Sequence, residues 1–217
     1  MNILGPTAGE EEVCERFGVS RESRKRLGIY VRELERWNRR INLVGPKTIG
    51  QVWTRHVADA LQLIPLLPEG TRGIVDLGSG GGVPGLVLAL ALAGERDIHM
   101  TLVESNAKKA AFLRQVAQKA GVRVNIINQR IEHLDPADLG AGPDMAVTAR
   151  ALAPLPELLE LSWPLLRAGA VGIFLKGQDV ERELTEATRY WKIKAKKVPS
   201  ITDEKAEILI VEEARRV

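Results

Sequence analysis

The sequence predicts a doubly wound α/β domain carrying an N-terminal helical cap. Three observations lead there. After Gly70, short apolar runs alternate with amphipathic stretches; a glycine-rich bend follows the first of those runs; and before residue 70 the apolar spacing is helical. Length and composition agree: 217 residues at 23.8 kDa suit one compact unit, which the pattern divides into a cap over residues 1–70 and a sheet domain over 71–217. With 45% apolar and 27% charged residues the chain can build a core, which excludes a disordered tail, a collagen-like repeat and a disulfide scaffold. The single Cys14 cannot form an intrachain disulfide, and no charged-then-apolar leader opens the chain. The longest apolar run, Val83 to Ala93, contains Pro84 and Gly85 and falls short of the roughly 20 residues a membrane span needs. The expectation is a cytoplasmic protein, not membrane-bound, and a monomer.

In the cap, Leu27, Val31, Leu34, Trp37, Ile41 and Val44 recur every three or four residues and form one stripe, with Arg32, Arg36, Arg39 and Arg40 mostly off it. Gly45-Pro46 stops that helix. A second helix follows, with Trp53, Val57, Ala60, Leu61 and Ile64 inward, and ends at Pro65 to Pro68. Strands are expected at Gly73–Leu77, His99–Val103, Val124–Asn128, Met145–Thr148 and Ala170–Leu175. Helices should fill Pro84–Leu92, Asn106–Ala120, Pro154–Leu166 and Asp179–Trp191. This alternation implies right-handed βαβ units, a parallel sheet and helices on both faces. Lys192–Val198 and Glu207–Val211 have no helix between them, so they should pair as an antiparallel hairpin at the sheet edge.

Ile74-Val75-Asp76-Leu77-Gly78-Ser79-Gly80-Gly81-Gly82-Val83-Pro84-Gly85 joins the first strand to its helix, with five glycines in the eight residues from Gly78 to Gly85. Such a bend lets a ligand touch bare backbone and exposes amides at a helix N-terminus, where an anion is attracted. Gly80-x-Gly82-x-x-Gly85 matches the dinucleotide fingerprint, which keeps a nicotinamide oxidoreductase in view. Two features favour S-adenosylmethionine: the Asp76-x-Gly78-x-Gly80 reading with its strand-end acid, and Glu104 at the end of the second strand, placed to accept ribose hydroxyls. Glu104 serves either adenosine-containing cofactor.

Several further motifs then fall in order. The glycine bend, Ala111-Phe112-Leu113-Arg114-Gln115-Val116, Thr148-Ala149-Arg150-Ala151-Leu152-Ala153 and Leu175-Lys176-Gly177, together with Asn42-Leu43 and Arg55-His56-x-x-Asp59 upstream, resemble the RsmG (GidB) family over about Arg36 to Lys176. The resemblance implies a Rossmann-like class I S-adenosyl-L-methionine-dependent methyltransferase that methylates N7 of a guanine in bacterial 16S rRNA, acting on the RNA or on a small-subunit particle. It also implies a cofactor site: Asp76, Gly78, Gly80 and Gly82 in the bend, Gly78 and Val83 at the methionine end, Glu104 at the ribose, and Ile131 and Glu132 around the adenine. Two positions depart from the family pattern: Val83 stands where Phe is frequent, and Ala60 where Ser is usual.

Neutral guanine N7 carries a lone pair and no proton, so its methylation needs alignment rather than a general base. The chain fits that: Thr148-Ala149-Arg150-Ala151 occupies the place of the Asn/Asp-Pro-Pro-aromatic run expected for exocyclic amines, and no Cys lies in the sheet domain. Arg150 is the positioning candidate, holding a cofactor carboxylate or an RNA phosphate, against a structural ion pair with Asp144. His56 and Asp59 either face the pocket mouth or lock the cap helix to the sheet. His56 and His133 have no ligand-spaced partners, so no metal site is expected. The RNA-contact candidates are Arg36, Arg39, Arg40, Arg55, His56 and Lys176; the first three fall in a segment, Arg21 to Arg40, with eight Lys/Arg against three Glu. Lys192, Lys194, Lys196 and Lys197 could extend the track, although helices and edge strands often carry such charges simply as a solvated face. Only 4% aromatic residues argues against a stacking platform. A third class, an RNA-binding assembly factor without turnover, would bind RNA with no methyl incorporation.

Overall fold

The structure is a computed structural model that describes residues 4–5, 7–46 and 48–217. It contains α1 (Glu10–Arg16), α2 (Arg21–Asn38), a 3-10 turn (Ile49–Gln51), a π-helical segment (Trp53–Ala58) running into α3 (Asp59–Leu61), and a 3-10 turn (Ile64–Leu66). Then follow β1 (Gly73–Leu77), α4 (Gly85–Leu92), β2 (His99–Val103), α5 (Ala107–Ala120), β3 (Asn125–Ile127), a 3-10 turn (Ile131–His133), β4 (Met145–Arg150), α6 (Leu155–Arg167), β5 (Val171–Lys176), α7 (Val180–Ala187), β6 (Trp191–Pro199) and β7 (Glu207–Arg216).

One sheet carries all seven strands in the order β3-β2-β1-β4-β5-β7-β6. The first five are parallel, and β7 runs antiparallel to both β5 and β6. The order reverses between β1 and β4, so the crevice outside the carboxyl ends of β1, β2 and β4 is the place where such a sheet accepts a ligand. The terminal hairpin forms as predicted, but the later strand lies inside: β7 pairs with β5 and leaves β6 as the edge. The composition of the two strands explains this. β7 offers Ile208, Leu209 and Val211, all buried, whereas β6 carries Lys192, Lys194, Lys196 and Lys197, which suit an edge.

The core has two main layers. On one face Leu27, Tyr30 and Leu34 of α2 pack with Leu86 and Leu90 of α4 and Phe112 and Leu113 of α5. On the other, Leu155, Leu158 and Leu159 of α6 pack with Val75, Val147, Phe174 and Trp191. Every residue of α4 is buried because the sheet covers one side and the cap the other, which is why its sequence has no polar stripe. Side-chain caps fix two helix starts: Ser20 accepts from the Ser23 amide, and Asn106 accepts from the Lys108 and Lys109 amides. Gly121, at φ 66°, closes α5.

Several boundaries differ from the sequence reading, three of them in the helices. The first long helix stops at Asn38 rather than Val44, because the Asn38 Oδ1 accepts from the amides of Leu43 (2.9 Å) and Val44 (3.0 Å) and folds the chain back. The second cap helix is π-helical over Trp53–Ala58. The last helix ends at Ala187, and Trp191 instead opens β6, buried edge-on against Trp163 with ring centroids 5.2 Å apart. In addition, α1 forms where no helix was expected.

Gly85 opens α4 directly against β1 and β2. A Cβ there would lie 2.5 Å from both Asp76 Cβ and Leu102 Cδ2. Gly85→Ala is therefore expected to lower stability by about 1–3 kcal/mol, as overpacking does, whereas Gly50→Ala, with open space around it, should stay within about 0.5 kcal/mol of the parent. Urea midpoints of the two variants check the difference.

Candidate active site

The glycine bend turns β1 into α4 at the carboxyl edge of the sheet. Gly78 has φ 69°, and a Cβ there would strike Leu152 Cδ1 at 2.6 Å; Gly82 has φ 87°, with Leu86 Cβ 2.9 Å from the corresponding point. Ahead of the helix N-terminus, three amides of the bend itself are already engaged. The Ser79 amide donates to Val103 O (2.9 Å), the Gly82 amide to Ser79 O (2.6 Å) and the Gly80 amide to Glu104 Oε2 (2.8 Å). At these three residues the bend is a braced loop, and what it offers a ligand is close approach to its backbone.

Glu104 is almost buried and ties two chain segments together: besides Gly80, its Oε1 accepts from the Asn106 amide at 2.7 Å. Asn128 Nδ2, just past β3, fixes the same turn by donating to the carbonyls of Glu104 (2.7 Å) and Ser105 (3.0 Å). Asp76 is fully buried behind the bend, where its Oδ1 accepts from Thr148 Oγ1 at 2.8 Å. Burial pushes its carboxyl up to about 6, against the pull of nearby hydrogen-bond donors. Asp76 and Gly82 thus shape the bend from behind and do not line the clefts below.

Three clefts meet in front of the bend. One of about 330 Å³ is lined by Gly78, Gly80, Glu104, Lys109, Ile131 and Glu132, among others. A second of about 330 Å³ shares Gly78, Gly80, Lys109 and Ala151 with it and adds Val83, His56, Thr48 and Arg150. The third, about 500 Å³, begins at Arg150 and Ala151 and extends between Leu152 to Pro154, Lys176, Gly177 and the β6–β7 turn at Thr202 and Asp203. Ala151 borders all three and is the one non-glycine residue with positive φ (51°) among the described residues. Strain at such a junction is characteristic of a working site.

Arg150 leaves the end of β4 into this junction. Its Nε lies 3.1 Å from Asp59 Oδ2, and its Nη1 lies 3.0 Å from His56 Nδ1. The ion-pair partner is Asp59, not Asp144. Facing a guanidinium, His56 Nδ1 must be the acceptor, so Nε2 carries the proton and donates to Thr48 Oγ1 (3.0 Å). Burial, then the charges of Arg150 and Arg55, push the His56 imidazole down to about 3, so it stays neutral near pH 7. Asp59 Oδ1 meanwhile accepts from Thr202 Oγ1 (2.6 Å) and Gln62 Nε2 (2.9 Å). The two readings of His56 and Asp59 thus merge: they lock cap to sheet and, in doing so, aim Arg150.

The RNA-contact candidates separate into two groups. Arg36, Arg39 and Arg40 are exposed at and just beyond the end of α2. Arg55 instead pairs with Asp203 (2.8 Å), whose carboxyl it holds below the usual range. Lys176 is nearly buried against Glu183 (2.5 Å) and Ala153 O (3.1 Å), and His56 is buried as described. Each of these three has a partner inside the protein, and Arg55 and Lys176 also line the third cleft. Sequence reasoning missed Tyr30, whose hydroxyl donates to Gly81 O at 2.9 Å and clamps the bend from the cap. It also missed Thr148 and Lys109 as site residues. Of these, only Thr148 had a readable signal, as a polar residue inside an otherwise apolar strand next to β1.

The family model described as "rRNA small subunit methyltransferase G" matches residues 23–211. Two curated relatives with the name "Ribosomal RNA small subunit methyltransferase G" are each 49% identical. The one from Paramagnetospirillum magneticum aligns over 96% of this chain and 97% of its own length, and that from Methylorubrum populi over 94% and 95%. Among solved structures, an O-methyltransferase from Bacillus cereus in complex with SAH shares the fold with a TM-score of 0.57 at 16% identity, over 85% of this chain and 90% of that one. A cofactor-bound MTB protein does so with a TM-score of 0.56, also at 16% identity, over 87% and 89%. The chain belongs to the rRNA small subunit methyltransferase G family.

Proposed function

We propose that this protein uses S-adenosyl-L-methionine to methylate N7 of a guanine in bacterial 16S rRNA, by in-line transfer without a general base. The observation that carries the reading is the pair of joined clefts, with Glu104 in one and Arg150 in the other, separated by the bare backbone of Gly78 and Gly80. The donor set suits that cofactor. A nearly buried carboxylate matches ribose hydroxyls, Ile131 and Glu132 border the space for an adenine, and Val83 and Arg150 border the space for a methionine tail with its own carboxylate. When bound, S-adenosyl-L-methionine supplies an electrophilic methyl group.

The residues of this chain then have three tasks. Glu104 and the bend hold and orient. Arg150, held from two sides by Asp59 and His56, keeps one guanidinium geometry at the boundary between the second cleft and the third, where a purine can enter. Fixed geometry of this kind can supply several kcal/mol of a barrier, up to about 7–11. Proton abstraction is not among the tasks, because the His56 Nδ1 lone pair already accepts from Arg150 and the imidazole, pushed down to about 3, is too weakly basic to hold a proton near pH 7. A nucleophile that carries no proton matches that environment. Membership in an rRNA methyltransferase family supports RNA as the substrate over the nicotinamide alternative.

Labelled methyl transfer to small ribosomal subunits from a strain lacking this protein tests the reading. We expect a single 16S guanine to acquire label at N7, seen as strand scission after borohydride reduction and aniline treatment. Label on another atom or on another RNA, or no transfer, would overturn it. The pH profile adds a second check. His56 titrates near 3 and Asp76 near 6, and neither acts as a base, so kcat should be flat from about pH 7 to 8.5. A rising limb with an apparent pKa near 7 would instead show a titrating base.

A further inference from the structure

Beside the clefts, but outside them, a groove of about 320 Å³ runs between the end of α2 and the start of α5, lined by Arg36, Trp37, Arg40, Ile41, Lys108 and Gln115. Its charges differ in kind from those of the third cleft. There each cation has a carboxylate: Arg55 with Asp203, Arg150 with Asp59, Lys176 with Glu183. In the groove, Arg36, Arg40 and Lys108 are all exposed, and none forms an ion pair among the described residues. Glu33 of α2 forms its contacts with Lys119 (2.6 Å) and Gln115 (2.5 Å), which, with a smaller pull from the charge of Arg36, hold its carboxyl below the usual range. Between the cations lies apolar surface: Trp37 and Ile41 are half-buried against the core, and the Trp37 ring is fixed edge-on by Phe112 at 5.8 Å.

We infer that this groove docks a single-stranded nucleotide of the substrate RNA adjacent to the target base, its base against Trp37 and Ile41 and its phosphates on Arg36, Arg40 and Lys108. The inference rests on the RNA substrate proposed above and deepens it. Three unpaired cations set around one rigid aromatic ring complement an unstacked nucleotide, since a duplex would use the cations and leave the ring idle. The low aromatic content argues against an extended stacking platform, but one nucleotide needs only one ring. The position also fits. Lys108 adjoins Lys109, which borders both cofactor clefts, and Ile41 lies two residues before Leu43, which borders the second. An RNA strand crossing the start of α5 would thus touch the groove and the reaction centre together.

The test uses a fluorescein-labelled single-stranded oligoribonucleotide of about ten nucleotides, with anisotropy read over a salt series. The Arg40→Glu/Lys108→Glu double variant should bind at least tenfold more weakly. Its log–log salt slope should be shallower by about 1.4, at roughly 0.7 for each phosphate of a single strand that is no longer neutralised. Its affinity for S-adenosyl-L-methionine should be unchanged, which reports that the fold is intact. Trp37→Leu, which keeps an apolar core side chain, should weaken binding without altering the slope. Parental affinity and slope in the double variant would overturn the groove, even if the wild type methylates small subunits. Conversely, weaker RNA binding by the double variant together with no methyl transfer by the wild type would sink the proposed function and leave the groove standing.

Discussion

One carboxylate bridges the two halves of the site. Glu104, at the end of β2, accepts at once from the Gly80 amide of the glycine bend and from the Asn106 amide that opens α5. Bonds from backbone amides to a nearly buried carboxylate are strong, because the acceptor is ionised and water is largely excluded. They fix the spacing between the carboxyl ends of β1 and β2, which is the floor of the crevice where an open α/β sheet binds ligands. The rest of the edge is built against that spacing. Gly85 admits α4 hard against Asp76, Asp76 is held by Thr148 of β4, and Tyr30 of the cap closes on Gly81 from outside.

The cap is thus more than a cover. It supplies Tyr30 to the bend, Leu43 and Val44 to the wall of the second cleft, and His56 and Asp59 to Arg150. A cap that contributes to the core and the site in this way cannot loosen without disturbing both. Asp59 also reaches Thr202 in the β6–β7 turn, and Arg55 reaches Asp203 there. The antiparallel end of the sheet is in this manner tied to the same junction, so that the cap, β4 and the terminal hairpin all converge on the ground around Arg150 and Ala151.

How much of this the sequence discloses depends on the range over which each feature is encoded. The parallel strands are legible because each is a short apolar run, and the bend with Glu104 because both lie at the ends of such runs. The trio of Arg150, Asp59 and His56 was visible as residues but not as a contact, since it joins positions more than 90 apart. The end of α2 at Asn38 was hidden because Ile41 and Val44 continue the apolar spacing although the Asn38 side chain has already turned the chain. The π-helical segment escapes a reading that assumes 3.6 residues per turn. The inner place of β7 depends on comparing two strands' burial, which no local pattern specifies. Glycine content shows that the bend is tight but not how it is braced, and only the positions of Glu104, Val103 and Ser79 show where three of its amides go.

Calorimetric titration with S-adenosyl-L-methionine, on wild type and on Glu104→Ala, probes the grip of bend and carboxylate most directly. Hydrogen bonds to a charged group contribute about 1.5–3 kcal/mol each, and about 1.4 kcal/mol corresponds to tenfold in affinity. The wild type should therefore bind, and the variant, still folded by circular dichroism, should bind about 10- to 100-fold more weakly. Equal affinity in the two proteins, or no binding by the wild type, would contradict the placement of the cofactor between Glu104 and the glycine bend.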